Sequence, residues 1–193
     1  MNHWLRRLLP IAAVLSTAGV LVANQVGAMA YISGSTGYDI SYPQCGGHYP
    51  TGAFGIVGVN GGYPFVHYNP CLADEYGHTP NAALYINTGY DPIYTQVDGK
   101  HSTPECVTQS ASIQGIVDTL LRQSPAAVGV YSTGYQWRTI TGNLPVSGVL
   151  ADWVATGSSS AGRARASCGT GFSGRPVWFV QYLHGGFDTD YTC

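Results

Sequence analysis

Six short apolar runs, each closed by turn-forming residues, set the frame for this chain. They are Tyr38–Tyr42 (YDISY), Phe54–Val59 (FGIVGV), Ala82–Asn87 (AALYIN), Ala127–Ser132 (AVGVYS), Val149–Val154 (VLADWV) and Val177–Tyr182 (VWFVQY). Pro43, Asn60-Gly61-Gly62 and Thr88-Gly89 stop the first three. Apolar residues at consecutive rather than alternate positions predict strands covered on both faces, as in a parallel sheet. A seventh strand is predicted near Asp188–Thr192.

Helical stretches fall between the runs. Asn69-Pro70 opens a short helix that passes Leu72 and Tyr76 and stops at Gly77; Asn caps well and Pro suits the first helical position. The best helix covers Ser110–Gln123, where Ile113, Ile116, Val117, Leu120 and Leu121 share one face and Pro125 follows the end. A weaker helix spans Ser159–Cys168. Gly89–Gln109 is polar and without periodicity, and reads as a loop of about 20 residues, long for a compact domain. The alternation of strand, loop and helix predicts an α/β fold. A complete eight-stranded β/α barrel takes ~200 residues or more. The expectation is therefore an incomplete or irregular (β/α) barrel, TIM-like, with about seven strands.

Residues 1–30 carry the three parts of a secretory leader. Arg6 and Arg7 are the cationic start, Leu8–Ala23 the uncharged apolar stretch, and Ala28-Met29-Ala30 the small-x-small cleavage pattern. The apolar stretch is short of the roughly 20 residues that span a bilayer. An exported protein of one domain, residues 31–193, with no stable membrane anchor after cleavage, is expected. All five cysteines lie in that part, and export makes disulfides the expected state. Cys168 and Cys193 bracket the last strands, and Cys45 and Cys71 flank the first two. Four paired cysteines allow three connectivities, of which this is one. Cys106 is then free or bridges two chains in a dimer.

Charge excludes some functions. Only 9% of the chain is charged and the formal net charge is −2, so a polybasic nucleic-acid binder is excluded. Fourteen tyrosines supply surface that is apolar on its face and hydrogen-bonding at its tip, which suits neutral, hydroxyl-rich matter. His48, His67, His78, His101 and His184 are scattered without metal-ligand spacing, and no GxGxxG joins a strand to a helix, so neither a metal nor another cofactor is expected.

Several fragments, in order, resemble glycoside hydrolase family 25, the lysozyme-like muramidases. Gly37-Tyr38-Asp39-Ile40-Ser41 is similar to the family's opening strand, Phe54–Asn60 to its second, and Val128-Gly129-Val130-Tyr131-Ser132 to its fifth. Asp152-Trp153-Val154-Ala155 resembles the sixth, Trp178-Phe179-Val180-Gln181-Tyr182 the seventh, and Phe187-Asp188-Thr189-Asp190 the closing acidic motif. Tyr42–Cys45 (YPQC) and Gly58–Gly62 (GVNGG) are similar to a secreted subgroup of that family. The resemblance implies a sugar-cleaving barrel that acts on bacterial peptidoglycan or a related amino-sugar polysaccharide.

The departure from the pattern is as informative. The family's fourth strand carries an Asp-x-Glu pair, and this chain has none. Relative to the family, an element of about 30–50 residues, one strand and one helix, is missing near Cys106–Ala111. The lost element could have carried a partner for Cys106. Glycoside hydrolysis needs one acid to protonate the leaving oxygen and a second group to stabilise the developing cation. Asp39 ends the first strand, while Asp188 and Asp190 lie on the last, and first and last strands adjoin in a closed barrel. These three are the candidate catalytic residues, although the family's acid is the absent glutamate. Tyr42, Tyr131, Tyr135, Trp137, Asp152 and Gln181 are the candidate substrate contacts, and Trp153 and Trp178 are expected in the core. Competing assignments are an ordinary loop carboxylate at Asp39 and an exposed acidic turn at Asp188 and Asp190. Glu75 is expected on an exposed helix face and Glu105 in solvent. The function implied is weak or absent hydrolysis of wall peptidoglycan, the alternative being a non-catalytic glycan-binding remnant.

Overall fold

The computed structural model describes residues 31–60, 68–87 and 104–193, the last with side chains from 109 onward. Residues 1–30, expected to be a leader, the side chains of Glu105 and Cys106, and most of the Gly89–Gln109 stretch lie outside the described residues.

Seven strands form one sheet: β1 (Thr36–Ile40), β2 (Gly55–Gly58), β3 (Ala83–Tyr85), β4 (Gly129–Ser132), β5 (Ala151–Ala155), β6 (Val177–His184) and β7 (Phe187–Thr192). Their spatial order is β3-β2-β1-β7-β6-β5-β4. Four helices intervene: α1 (Leu72–His78), α2 (Pro104–Gln123), α3 (Gly134–Thr141) and α4 (Ala161–Ala166). The architecture is a mixed α/β fold whose sheet curls into an incomplete barrel. The curl brings Tyr85 on β3 within 5.7 Å of Trp153 on β5, ring centre to ring centre, although four strands separate theirs in the sheet order.

All six apolar runs and the seventh predicted strand form strands, within a few residues of their expected bounds. The outer face is roofed by helices. Leu72 of α1 packs on Tyr38, Ile40 and Val57, and Ala164 of α4 packs on Val177, Val180 and Tyr182. Val117 of α2 meets Trp137 of α3, Val146 and Val149. The inner face carries its own cluster of Phe54, Ile56, Trp153, Tyr31 and Phe179. Burial from both sides is what continuous apolar runs require.

The structure corrects several expectations. The sheet is not wholly parallel: β7 runs antiparallel to both β1 and β6. Gly185 and Gly186 cause this, since both take positive φ (63° and 84°), the backbone of a tight two-residue hairpin. Residues 104–109, expected in a loop, begin α2. Tyr42 does not end a strand; Tyr42–Gln44 is a short 3-10 turn with Pro inside it. Helix α3 was not expected from sequence; the Thr133 side chain caps it by accepting from Gln136 N. Glu75 is fully buried, not on an exposed helix face, and accepts from Asn69 Nδ2 at 2.7 Å.

Both disulfides form as the positions suggested, Cys45–Cys71 and Cys168–Cys193, with Cα atoms 5.4 and 5.5 Å apart. Both lie within one chain and give no support to a linked dimer. Among the described residues, no helix is long and apolar enough to cross a membrane.

Candidate functional site

Strand register places the acids. Tyr38 pairs with Thr189 and Gly37 with Asp190, so Asp39, Asp188 and Asp190 share the inner face of the β1–β7 pair. Gln181 on β6 pairs with Asp190 across the hairpin and joins the same face. Tyr131 pairs with Trp153 across β4 and β5, and both point inward with Phe179, the β6 partner of Trp153. Residues that lie far apart in sequence thus converge through pairing alone.

A hydrogen-bonded chain links them. The Tyr131 hydroxyl donates to Gln181 Oε1 at 2.7 Å, and Gln181 Nε2 donates to Asp39 Oδ2 at 2.8 Å. Trp153 Nε1 donates to Asp190 Oδ1 at 2.7 Å. Asp190 is wholly buried and its Oδ2 receives no N–H or O–H donor. The Asp190 carboxyl interacts with that of Asp39, so the two acids titrate as a coupled pair. Burial raises Asp39 to about 6, with the Asp188 charge adding to the rise and the Gln181 and Asp190 hydrogen bonds opposing it. Burial, then the Asp39 charge, lifts Asp190 well above the usual carboxylate range. Burial also raises Asp188. Among the described residues, no Lys, Arg or His forms an ion pair with any of the three.

A pocket of about 200 Å³ opens beside this chain at the carboxyl ends of β1 and β3, walled on its other side by the β6–β7 hairpin. Asp39 and Asp188 supply its charge, Ser41 and Gln44 its neutral polar groups, and Pro43 and Phe187 part of its apolar wall. Ligands of open α/β sheets favour such strand ends. Gly58 lets the pocket wall close: a Cβ there would sit 2.7 Å from Ser41 Cβ and 2.9 Å from the Tyr85 ring. The Tyr85 hydroxyl is hydrogen-bonded to Ser41, and burial pushes it up to about 12.

The sequence-derived candidates divide. Asp39, Asp188, Asp190, Gln181 and Tyr131 come together. Tyr42, half exposed, lies on the 3-10 turn beside the pocket residues Pro43 and Gln44. Tyr135 stands 70% exposed on α3, with Arg138 near its ring and no contact to the acids. Trp137 was expected at the cleft but packs in the core with Val117 and Phe172. Asp152 was also expected to face the cleft, yet it lies on the outer face, fully buried, and accepts from the backbone N and hydroxyl of Ser173. Trp153 is core, as expected, and also serves the site through its N–H. Sequence reasoning missed Tyr85, Ser41, Gln44 and Phe187. The YPQC fragment pointed to Gln44 but carried no sign of a pocket.

Comparison of the chain with protein-family models, curated proteins and solved structures gave no match.

Proposed function

We propose that this protein is an exported, glycoside-hydrolase-like protein of the family 25 kind, directed at bacterial wall peptidoglycan or a related amino-sugar polymer, with weak or no hydrolytic activity. One observation carries the reading: Asp39, Asp188 and Asp190 gather with Gln181 and aromatic rings at the mouth of a curled sheet. In the resemblance, these positions hold the acids that support catalysis. Among the described residues β3 and β4 are the two ends of the sheet order, and the resemblance puts the missing strand and its Asp-x-Glu pair between them. Asp39, which burial raises to about 6, is suited to donate a proton near neutrality.

A specific feature favours the non-catalytic alternative. Asp39 and Asp190 touch, whereas a retaining pair stands about 5 Å apart to flank the bond it cuts. Sedimentation with purified bacterial walls and a turbidity assay separate the two. Retention on walls with slow clearing, abolished by Asp39→Asn, supports a weak hydrolase. Retention without clearing supports the binding remnant. Absence of both overturns the glycan reading.

A further inference from the structure

Tyr131 stands half exposed on β4, with its ring 4.5 Å from that of Trp153 on β5. Its hydroxyl reaches Gln181 Oε1 on β6 at 2.7 Å. The Gln181 main chain is fixed separately, because its carbonyl accepts from the Thr156 N–H at 3.1 Å and the Thr156 hydroxyl at 2.8 Å. What is left to the side chain is which way its amide faces. The two ends of that amide differ: Oε1 only accepts and Nε2 only donates. As it stands, Nε2–H meets Asp39 Oδ2 at 2.8 Å and Oε1 meets the phenol. A half-turn of the amide would set Oε1 against Asp39 Oδ2, acceptor against acceptor, which only a proton on Asp39 relieves. The phenol stays protonated and keeps its donor: burial, then the charges of Asp39, Asp188 and Asp190, hold it above the ordinary phenol range.

We propose that Tyr131 is a positioning residue for Asp39: by donating to Gln181 Oε1, its hydroxyl holds the amide with Nε2–H on Asp39 and so favours the ionised carboxylate from two hydrogen bonds away. This rests on the reading of Asp39 as the site's proton donor and names the residue that regulates it. The other titratable groups around Asp39 are Asp188 and Asp190 on β7 and Tyr85 on β3. None is a cation, and among the described residues no Lys, Arg or His forms an ion pair with Asp39. Its charge is therefore favoured by hydrogen bonds, of which that from Gln181 outweighs that from Asp190. The amide–carboxylate link is part-buried, whereas the phenol–amide link is exposed. The outer link is the one that solvent can reach, so the ionisation of Asp39 is set where the site opens to water.

Carbon-13 titration of the Asp39 carboxyl in the wild type, Tyr131→Phe, Gln181→Leu and the double variant tests this. Tyr131→Phe keeps the ring beside Trp153 and is expected to raise the Asp39 midpoint by about half a unit, roughly threefold in proton affinity. The double variant is expected to match Gln181→Leu alone, since without the amide the phenol has nothing to hold. In the wild type, the Gln181 side-chain amide resonances are expected to move at the Asp39 midpoint, a readout that needs no variant. An Asp39 midpoint unmoved by Tyr131→Phe overturns the proposal. So does a Tyr131 shift that adds fully to that of Gln181→Leu, or amide resonances that ignore Asp39. Sedimentation with walls keeps the two readings apart. A shifted midpoint in a protein that neither binds nor clears walls overturns the glycan reading and leaves the positioning role standing. An unmoved midpoint in a protein retained on walls does the reverse.

Discussion

Asp190 meets Asp39 carboxyl to carboxyl, and Trp153 and Gln181 each hold one of the two acids from the far side. The pair makes folding sensitive to pH. Asp39 titrates at about 6 in the fold against an ordinary 3.8, so the folded chain binds its proton more tightly than the unfolded chain. Stability contributed by that proton is present below pH 4 and is lost as the pH rises through 6. Melting followed from pH 4 to pH 7.5 is expected to show a fall on the order of 3 kcal/mol. Asp39→Asn is expected to flatten it.

Gln181 holds Asp39 down. Its Nε2–H is the hydrogen bond that most opposes the burial of Asp39. Gln181→Leu removes that donor, and the Asp39 pKa is expected to climb by about one unit. Folded stability still begins to fall near pH 4, but the fall extends to a correspondingly higher pH and grows by about 1.4 kcal/mol, which the same melting series reads out. Carbon-13 titration of the Asp39 carboxyl gives the shift directly.

Asp152 anchors structure rather than ligand. Its carboxylate ties the Ser173 turn to β5 through two hydrogen bonds. Asp152→Ala leaves the half-buried Ser173 N–H without that partner and is expected to cost about 2 kcal/mol in denaturant unfolding. Affinity for glycan measured on the folded fraction is expected to stay unchanged.

The two disulfides are expected to differ in function, not in stability. They span 26 and 25 residues, and removal of either, by paired Cys→Ala substitution, is expected to cost roughly 3 kcal/mol in chain entropy. Cys45 follows directly on the pocket residues Pro43 and Gln44. Loss of Cys45–Cys71 is therefore expected to weaken glycan binding as well, whereas loss of Cys168–Cys193 leaves it intact. Calorimetry on both double variants distinguishes them.

The strands were legible because their apolar runs are long, continuous and sharply punctuated. Helix α3 was not, because Tyr135-Gln136-Trp137-Arg138-Thr139-Ile140-Thr141 mixes rings and β-branched residues with no repeating apolar face, and only Thr133 and Gly142 mark its ends. Convergence of Asp39 with Asp188 and Asp190 followed from first and last strands adjoining. The place of Gln181 between Tyr131 and Asp39 depends on register, which no local pattern encodes. Asp152 shows the same limit from the other side. Ala151-Asp152-Trp153-Val154-Ala155 is apolar on both faces, so alternation does not say whether the acid or the ring points inward. The hairpin at Gly185-Gly186, and with it the reversal of β7, was missed, because the continuous apolar runs pointed to a parallel sheet and the paired glycines were not weighed against them.

The indole of Trp153 donates to one member of an acid pair and lies 4.5 Å from the ring of Tyr131, which ends the same chain of contacts. Its fluorescence is therefore expected to follow the charge of that acid pair. A β5 position that the core would have claimed for packing alone thus joins the apolar cluster to the charge state of the acids.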